Sequence, residues 1–108
     1  MNKKQRLYNR NYFLNLVEIG NRKTNCLRWS SNETKEHILK KLEICMDLKK
    51  KGEDFITEVI FVGRKARADV LSLDDGSIYE ILKSEDIEKA KKKEIYYPSE
   101  CKIYYIKC

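Results

Sequence analysis

Three short apolar segments follow one another between residues 55 and 82, and they constrain the fold of this chain more than any other feature. They read FITEVIFV over 55–62, ARADVLSL over 66–73 and IYEIL over 78–82. Their β-branched and aromatic residues favour strands. Gly63 interrupts the apolar pattern at the first gap, and Asp75-Gly76, a strong hairpin signal, lies in the second. Strands this close in sequence pair as hairpins, so the pattern predicts an antiparallel meander.

A helix is predicted on the N-terminal side of the meander, over about residues 32–51. The Ser-Ser-Asn run at 30–32 offers N-cap residues, and Glu33 stands three residues after Ser30, as a capping box requires. Gly52 is suited to end the helix, after lysines that favour its C-terminal dipole. Its predicted buried stripe consists of five residues at helical spacing: Ile38, Leu39, Leu42, Cys45 and Met46.

A second helix is predicted over 85–93, with Ser84 as its N-cap and with Glu85 and Asp86 at its positive end. Pro98 stops it, and the segment CKIYYI at 101–106 predicts a last strand. The order helix, three strands, helix, strand predicts an α/β fold with a mixed sheet flanked by helices. At 108 residues the chain forms one domain.

Residues 1–30 are predicted to form a basic arm, flexible as far as Asn11, and a hairpin from strands over 12–19 and 26–29. This segment has seven basic residues and one acid, so it carries the whole net charge of +6, and residues 31–108 are neutral overall. Cations interleaved with Tyr8, Tyr12, Phe13 and Trp29 suit a nucleic-acid backbone and unstacked bases, although a solvated basic edge accounts for them equally well. The predicted DNA contacts are Lys3, Lys4, Arg6, Arg10, Arg22, Lys23 and Arg28, together with Arg67 from the second strand.

One acid stands in the middle of each meander strand: Glu58, Asp69 and Glu80. A buried carboxylate without a partner is expensive. Any one of the three is explained by a solvent-facing position on an edge strand, but three in adjacent apolar strands indicate a shared role. A divalent cation would relieve their mutual repulsion, and carboxylate oxygens suit Mg²⁺ or Mn²⁺.

With this order of elements, Asp on the second strand and Glu on the third, residues 31–108 resemble the core of the PD-(D/E)XK nuclease superfamily. That superfamily has the restriction-endonuclease-like α-β-β-β-α-β fold. The resemblance is closest to MmcB-type DNA-repair-associated proteins and looser to CoiA-type competence proteins. The matching motifs are Glu58-Val59, Arg67-Ala68-Asp69-Val70, Glu80-Ile81-Leu82-Lys83-Ser84, the lysine run ending near Tyr96, and Cys101-Lys102-Ile103-Tyr104-Tyr105.

The resemblance implies a metal-dependent endonuclease, or a DNA-binding protein on the same fold, acting in DNA processing or repair. Asp69 and Glu80 would then hold Mg²⁺ or Mn²⁺, with Glu58 or Glu36 completing the metal site. A solvated position on the helix surface is the simpler explanation for Glu36 and for its neighbour His37. By the same resemblance the active form is a homodimer.

The family also places a water-orienting lysine two positions after the metal-binding Glu, where this chain has Leu82. Lys83 comes one residue late, and strand alternation directs it to the face opposite Glu80. Three alternatives follow: a β-bulge that rotates Lys83 into the site, a substitute cation, or lost catalysis. Arg67 and the helix lysines Lys89 and Lys92 are the candidate substitutes.

A non-enzymatic interaction protein is the rival hypothesis, with the tyrosine-rich last strand as its protein-binding surface and the acids as structural groups. The sequence has no secretory signal at its start and no apolar run near the roughly 20 residues that cross a bilayer, so a cytosolic protein is expected. The four cysteines lack zinc-site spacing, which predicts free and mostly buried thiols.

Overall fold

The three apolar segments form the antiparallel meander that their spacing predicts. In the computed structural model, which describes residues 2–63, 67–83 and 87–108, they form strands β1, β2 and β3, and a fourth strand, β4, completes the sheet. The strand bounds are Phe55–Ile60, Arg67–Ser72, Ile78–Leu82 and Ile103–Lys107. The sheet order is β1-β2-β3-β4; β4 runs parallel to β3, while β1, β2 and β3 pair antiparallel. The α/β class and the mixed sheet are therefore confirmed.

Three α-helices accompany the sheet in the described part of the chain. Helix α1 spans Lys3–Leu14, α2 spans Lys35–Lys50, and α3 spans Ile87–Lys91 and continues as a 3₁₀ turn over Lys92–Tyr96. From α2 onward the order is α-β-β-β-α-β, as predicted. The α3 segment carries the crossover that a parallel β3–β4 pair requires. The predicted cap Ser84 and the acids Glu85 and Asp86 lie outside the described residues.

Helix α2 begins three residues later than the sequence suggests. Its N-cap is Thr34, whose hydroxyl accepts a hydrogen bond from the His37 N–H at 3.2 Å. The carboxylate of Glu33 accepts from the Ser30 N–H at 3.0 Å, so the predicted pair of residues does interact, but before the helix starts. Gly52 follows the helix with φ +76°, as expected of the residue that ends it.

The predicted N-terminal arm and hairpin are wrong, because residues 3–14 form helix α1. Asn2 caps it by accepting from the Gln5 N–H at 2.7 Å. Phe13 is the buried residue of α1, and Val17, just after the helix, is also buried. Residues 16–30 then follow the open edge of β1, where an isolated bridge joins Val17 to Phe61.

The sheet is covered on both faces. On the face of α1, the core includes Phe13, Val17 and Tyr97; on the other, α2 packs through Ile44, Cys45 and Leu48. The predicted stripe of α2 is wrong in most of its members. The residues of α2 that are buried are Lys41, Ile44, Cys45 and Leu48, whereas Leu39, Leu42 and Met46 are exposed.

None of the helices in the described residues is long and apolar enough to cross a bilayer. All four cysteines are free thiols. Burial raises the pKa of Cys45 and of Cys101 to about 12, which leaves both unreactive at neutral pH.

Candidate functional site

Asp69 and Glu80 lie opposite each other where strands β2 and β3 separate. Backbone pairing between these strands reaches only as far as Val70 and Tyr79. One residue further, side chains replace the backbone ladder: the Ile81 N–H donates to Asp69 Oδ2 at 2.8 Å, and the Asp69 N–H donates to Glu80 Oε1 at 3.3 Å. The two carboxyl groups therefore occupy the gap between the separating strands.

From this gap the two side chains contact different layers of the protein. Asp69 Oδ2 lies 3.5 Å from His37 Nε2 on helix α2. Glu80 Oε1 accepts a hydrogen bond at 2.9 Å from the hydroxyl of Tyr97, which belongs to the opposite core. Although the two side chains contact different layers, the opening of the ladder brings their carboxyl groups together.

The protonation of Glu80 is set by its surroundings. Its side chain is buried, with 8% of the residue exposed. Burial, followed by the negative charge of Asp69, raises the pKa of Glu80 to about 7, although the Tyr97 hydroxyl, the Asp69 N–H and the charge of Lys93 act to lower it. Glu80 is thus partly protonated at neutral pH, and a bound cation would take the place of that proton.

A fully buried lysine, which the sequence analysis missed, binds Glu58 in the neighbouring strand β1. Lys41 Nζ donates to Glu58 Oε1 at 2.8 Å, to Glu33 Oε1 at 3.0 Å and to the Arg28 carbonyl at 3.0 Å. These bonds use all three protons of the ammonium group. Lys41 is therefore saturated and holds the structure together, and it has no proton left with which to orient a water.

The two carboxylates around Lys41 titrate differently. Burial acts to raise the pKa of Glu33, but hydrogen bonds from Glu58, the Ser30 N–H and Lys41 outweigh it and lower that pKa to about 2. Burial and the nearby Glu33 raise the pKa of Glu58 against the opposing effect of Lys41. The second oxygen of Glu33 lies 2.7 Å from His37 Nδ1. A chain of polar contacts consequently joins Lys41 to Asp69 through Glu33 and His37.

A helical spacing was the available signal for this network. Glu33, His37 and Lys41 are four residues apart, so they share one side of the helical path. The hydrogen bond to Asp69 is the main cause that raises the pKa of His37. The prediction of His37 as a surface histidine failed because the apolar stripe chosen for the sheet was on another side of α2.

The other predicted catalytic residues take separate positions. Glu58 faces Asp69 across the β1–β2 pair with a left-handed φ of +52°, but Lys41 and, at 3.4 Å, Arg67 engage its carboxylate. Glu36 is exposed on α2. Lys83 is exposed beyond β3, whose continuous register with β4 leaves no bulge after Glu80. The bulge alternative is therefore wrong.

The predicted DNA-contacting residues divide into two groups at opposite ends of the strands. Arg6 Nε donates to Asp74 Oδ2 at 2.8 Å, and Arg10 Nε lies 3.2 Å from Asp54 Oδ2 in an ion pair without hydrogen-bond geometry. Asp74 is five residues from Asp69, or roughly 16 Å along an extended chain. These arginines thus fix α1 to the remote end of the sheet.

The remaining predicted DNA-contacting residues differ in their solvent exposure. Lys3, Lys4 and Lys23 are exposed, whereas Arg22 Nε donates to the Val17 carbonyl at 2.8 Å. Arg28 and Arg67 are exposed and line a small cleft beside Glu58. Only this last pair is placed near the acids.

The donor set was tested against a metal ion. In residues 2–63, 67–83 and 87–108, no cluster of three or more His, Cys, Asp or Glu is arranged to enclose one. Mg²⁺, however, is commonly held by one or two carboxylates and keeps several waters. Asp69 Oδ1 and Glu80 Oε2 accept no hydrogen bond from the described residues and are available to such an ion. By its chemistry, this pair of carboxylate oxygens is a donor set that Mg²⁺ or Mn²⁺ accepts.

Comparisons of the chain with models of known protein families, with curated proteins and with solved structures give no match.

Proposed function

We propose that this protein is a metal-dependent deoxyribonuclease that hydrolyses phosphodiester bonds on a restriction-endonuclease-like core. One observation carries the proposal: two carboxyl groups from adjacent strands, Asp69 and Glu80, share the gap where the sheet opens, and one of them has a pKa of about 7. A buried carboxyl group with a strongly raised pKa beside a second carboxyl group is typical of functional sites. The α-β-β-β-α-β order supports the resemblance to nucleases of this type.

Asp69 and Glu80 would hold the ion, and the protein fixes both before it binds. The Ile81 N–H orients the first carboxylate, and the Tyr97 hydroxyl orients the second. When bound, Mg²⁺ or Mn²⁺ activates a water and stabilises charge on the phosphate. Because Glu80 binds metal only as the carboxylate, loading the site releases a proton and is favoured above about pH 7.

Lys93 is the substitute for the missing lysine to which the electrostatics of Glu80 point. From the 3₁₀ turn after α3, its charge acts to lower the pKa of Glu80. Arg67 lies instead beside Glu58. We assign to Lys93 the role of stabilising the carboxylate form of Glu80. The resemblance adds a homodimer to the proposal.

A DNA-binding protein without catalysis is the second candidate, and one observation favours it. In the described part of the chain, Lys41 is saturated, Lys83 is exposed beyond β3, and no lysine is hydrogen-bonded to Asp69 or Glu80. A nuclease that has lost its water-orienting group would look the same at these positions.

Cleavage of labelled single-stranded, duplex and flapped DNA in Mg²⁺ or Mn²⁺ tests the proposal, together with Mn²⁺ binding measured by electron paramagnetic resonance. Asp69→Asn is expected to abolish both cleavage and high-affinity Mn²⁺ binding. Asp47→Asn makes the same charge change at an exposed site on α2 and is the matched control. It should leave both readouts unchanged.

Two results would contradict the proposal that this protein is a nuclease. Wild-type protein that binds DNA but cleaves none of these forms with either metal selects the binding-only candidate. Cleavage that survives Asp69→Asn undiminished places the chemistry elsewhere in the chain.

A further inference from the structure

The cleft beside the acidic site exposes a tryptophan together with two arginines. Arg28, Trp29, Glu58 and Arg67 line this cavity of about 180 Å³. Trp29 is 57% exposed, although a ring of this size is usually largely buried in a monomeric protein. What distinguishes this ring is its cleft, in which two guanidinium groups accompany a surface on which a base can stack.

The backbone that carries Trp29 is held on both sides. The Arg28 N–H donates to Thr57 Oγ1 at 2.9 Å, and the Arg28 carbonyl accepts from buried Lys41 at 3.0 Å. On the other side, the Ser30 N–H donates to Glu33 at 3.0 Å. The backbone on either side of Trp29 is thus held by hydrogen bonds, which reduces the ordering that binding requires.

The cleft adjoins the acid pair. Arg67 precedes Asp69 by two residues in β2, a distance of roughly 7 Å along the strand. Glu58, which faces Asp69 across the β1–β2 pair, lies 3.4 Å from Arg67 Nη1 and positions its guanidinium at the rim. A chain bound in the cleft would therefore lead directly to the acids.

We propose that this cleft binds an unpaired nucleotide, with the base stacked on Trp29 and the adjoining phosphates at Arg28 and Arg67. Aromatic rings beside arginines are the means by which proteins hold single-stranded nucleic acid, since every base offers a π face. A base inside a duplex is already stacked and cannot reach the indole. The inference rests on the proposed function and narrows its substrate to DNA with unpaired bases beside the scissile phosphate.

Trp29 is the single tryptophan of the chain, so its fluorescence reports this cleft directly. The experiment titrates protein in EDTA, where no metal-dependent cleavage occurs, with a short oligothymidylate and with a blunt duplex of equal length. Single-stranded DNA is expected to quench the emission saturably, and the effect should weaken with salt. The duplex should quench little at the same concentration.

Variants separate stacking from charge. Trp29→Leu keeps apolar bulk but removes the ring, and it should weaken binding of a labelled oligothymidylate between about fivefold and a hundredfold, as loss of one base–aromatic stack does. Trp29→Phe should retain most of the affinity. Leu39→Ala removes a comparably exposed apolar side chain from helix α2 and should change nothing.

The outcomes for the cleft and for the nuclease are distinct. Equal quenching by duplex and single strand, an affinity unaffected by Trp29→Leu, or no binding of single-stranded DNA would each overturn the inference. Metal-dependent cleavage that is lost in Asp69→Asn would then still support the proposed nuclease activity. Specific quenching in a protein that cleaves nothing would leave the unpaired-base site standing and reject the proposed chemistry.

Discussion

Replacement of Glu80 by glutamine should make the metal-free protein more stable at alkaline pH. The glutamine side chain has the shape of the protonated acid and keeps an oxygen that accepts the Tyr97 hydrogen bond, but it cannot acquire the buried negative charge. Glu80→Gln therefore fixes this position in the form that the folded protein prefers.

The size of the effect follows from the pKa. The folded protein raises the pKa of Glu80 from 4.5 to about 7, chiefly by burial. Each pKa unit is worth about 1.4 kcal/mol, so the charged form costs on the order of 3 kcal/mol of folding free energy. Because the folded state binds the proton more tightly, this contribution to stability is complete below about pH 4.5 and is lost as the pH rises to about 7.

Urea unfolding in EDTA measures the difference. The free energy of unfolding of Glu80→Gln minus that of wild type is expected to be small at about pH 4 and to increase to as much as about 3 kcal/mol at about pH 8. His37, whose pKa is also raised, titrates in both proteins, so its contribution largely cancels in the difference. Excess Mg²⁺ should then stabilise wild type at about pH 8 and leave Glu80→Gln nearly unaffected.

A difference that does not change with pH would refute this reasoning, because it would mean that Glu80 ionises in the folded protein as readily as in the unfolded chain. A variant that is less stable than wild type at alkaline pH would show that the carboxylate is already compensated without a metal.

Two further predictions concern the framework around the site. Gly76→Ala should lower the free energy of unfolding by about 2–4 kcal/mol, since φ is +76° there and a Cβ would lie 2.3 Å from the Phe13 ring; Gly20→Ala, with open space around it, is the control. Thermal unfolding of both variants checks this, and equal losses would contradict it. Lys41→Met should cost about 3–5 kcal/mol at neutral pH by leaving two carboxylates without their cation. The loss should shrink at acidic pH as they protonate, and a loss that is the same at every pH would count against the network.

Local patterns in the sequence were enough to predict the strands and their order. Apolar β-branched runs separated by Gly63 and by Asp75-Gly76 leave hairpins as the simplest pairing, and both glycines have the positive φ that tight turns demand. One acid near the centre of each such run also identified Glu58, Asp69 and Glu80 as an unusual set. These inferences needed no knowledge of distant contacts.

Tertiary packing decided which side of α2 meets the sheet, and the sequence misled on this point. Apolar content favoured the side of Leu39 and Met46, but the structure buries Lys41, because Glu33 and Glu58 compensate its charge. In a sequence pattern, a lysine that becomes buried cannot be distinguished from one on the surface. Only the position of its partners, one of them on another element, makes its burial favourable.

The surroundings of the N-terminal arginines and of the Asp69–Glu80 pair could not be predicted from local sequence patterns either. Arg6 and Arg10 look like free cations until Asp74 and Asp54, more than 40 residues away in sequence, neutralise them. The sequence by itself determined that Asp69 and Glu80 lie in neighbouring strands. Only the tertiary structure decided that those strands separate at this point, so that the two carboxyl groups meet in the gap and burial disfavours the charge of Glu80.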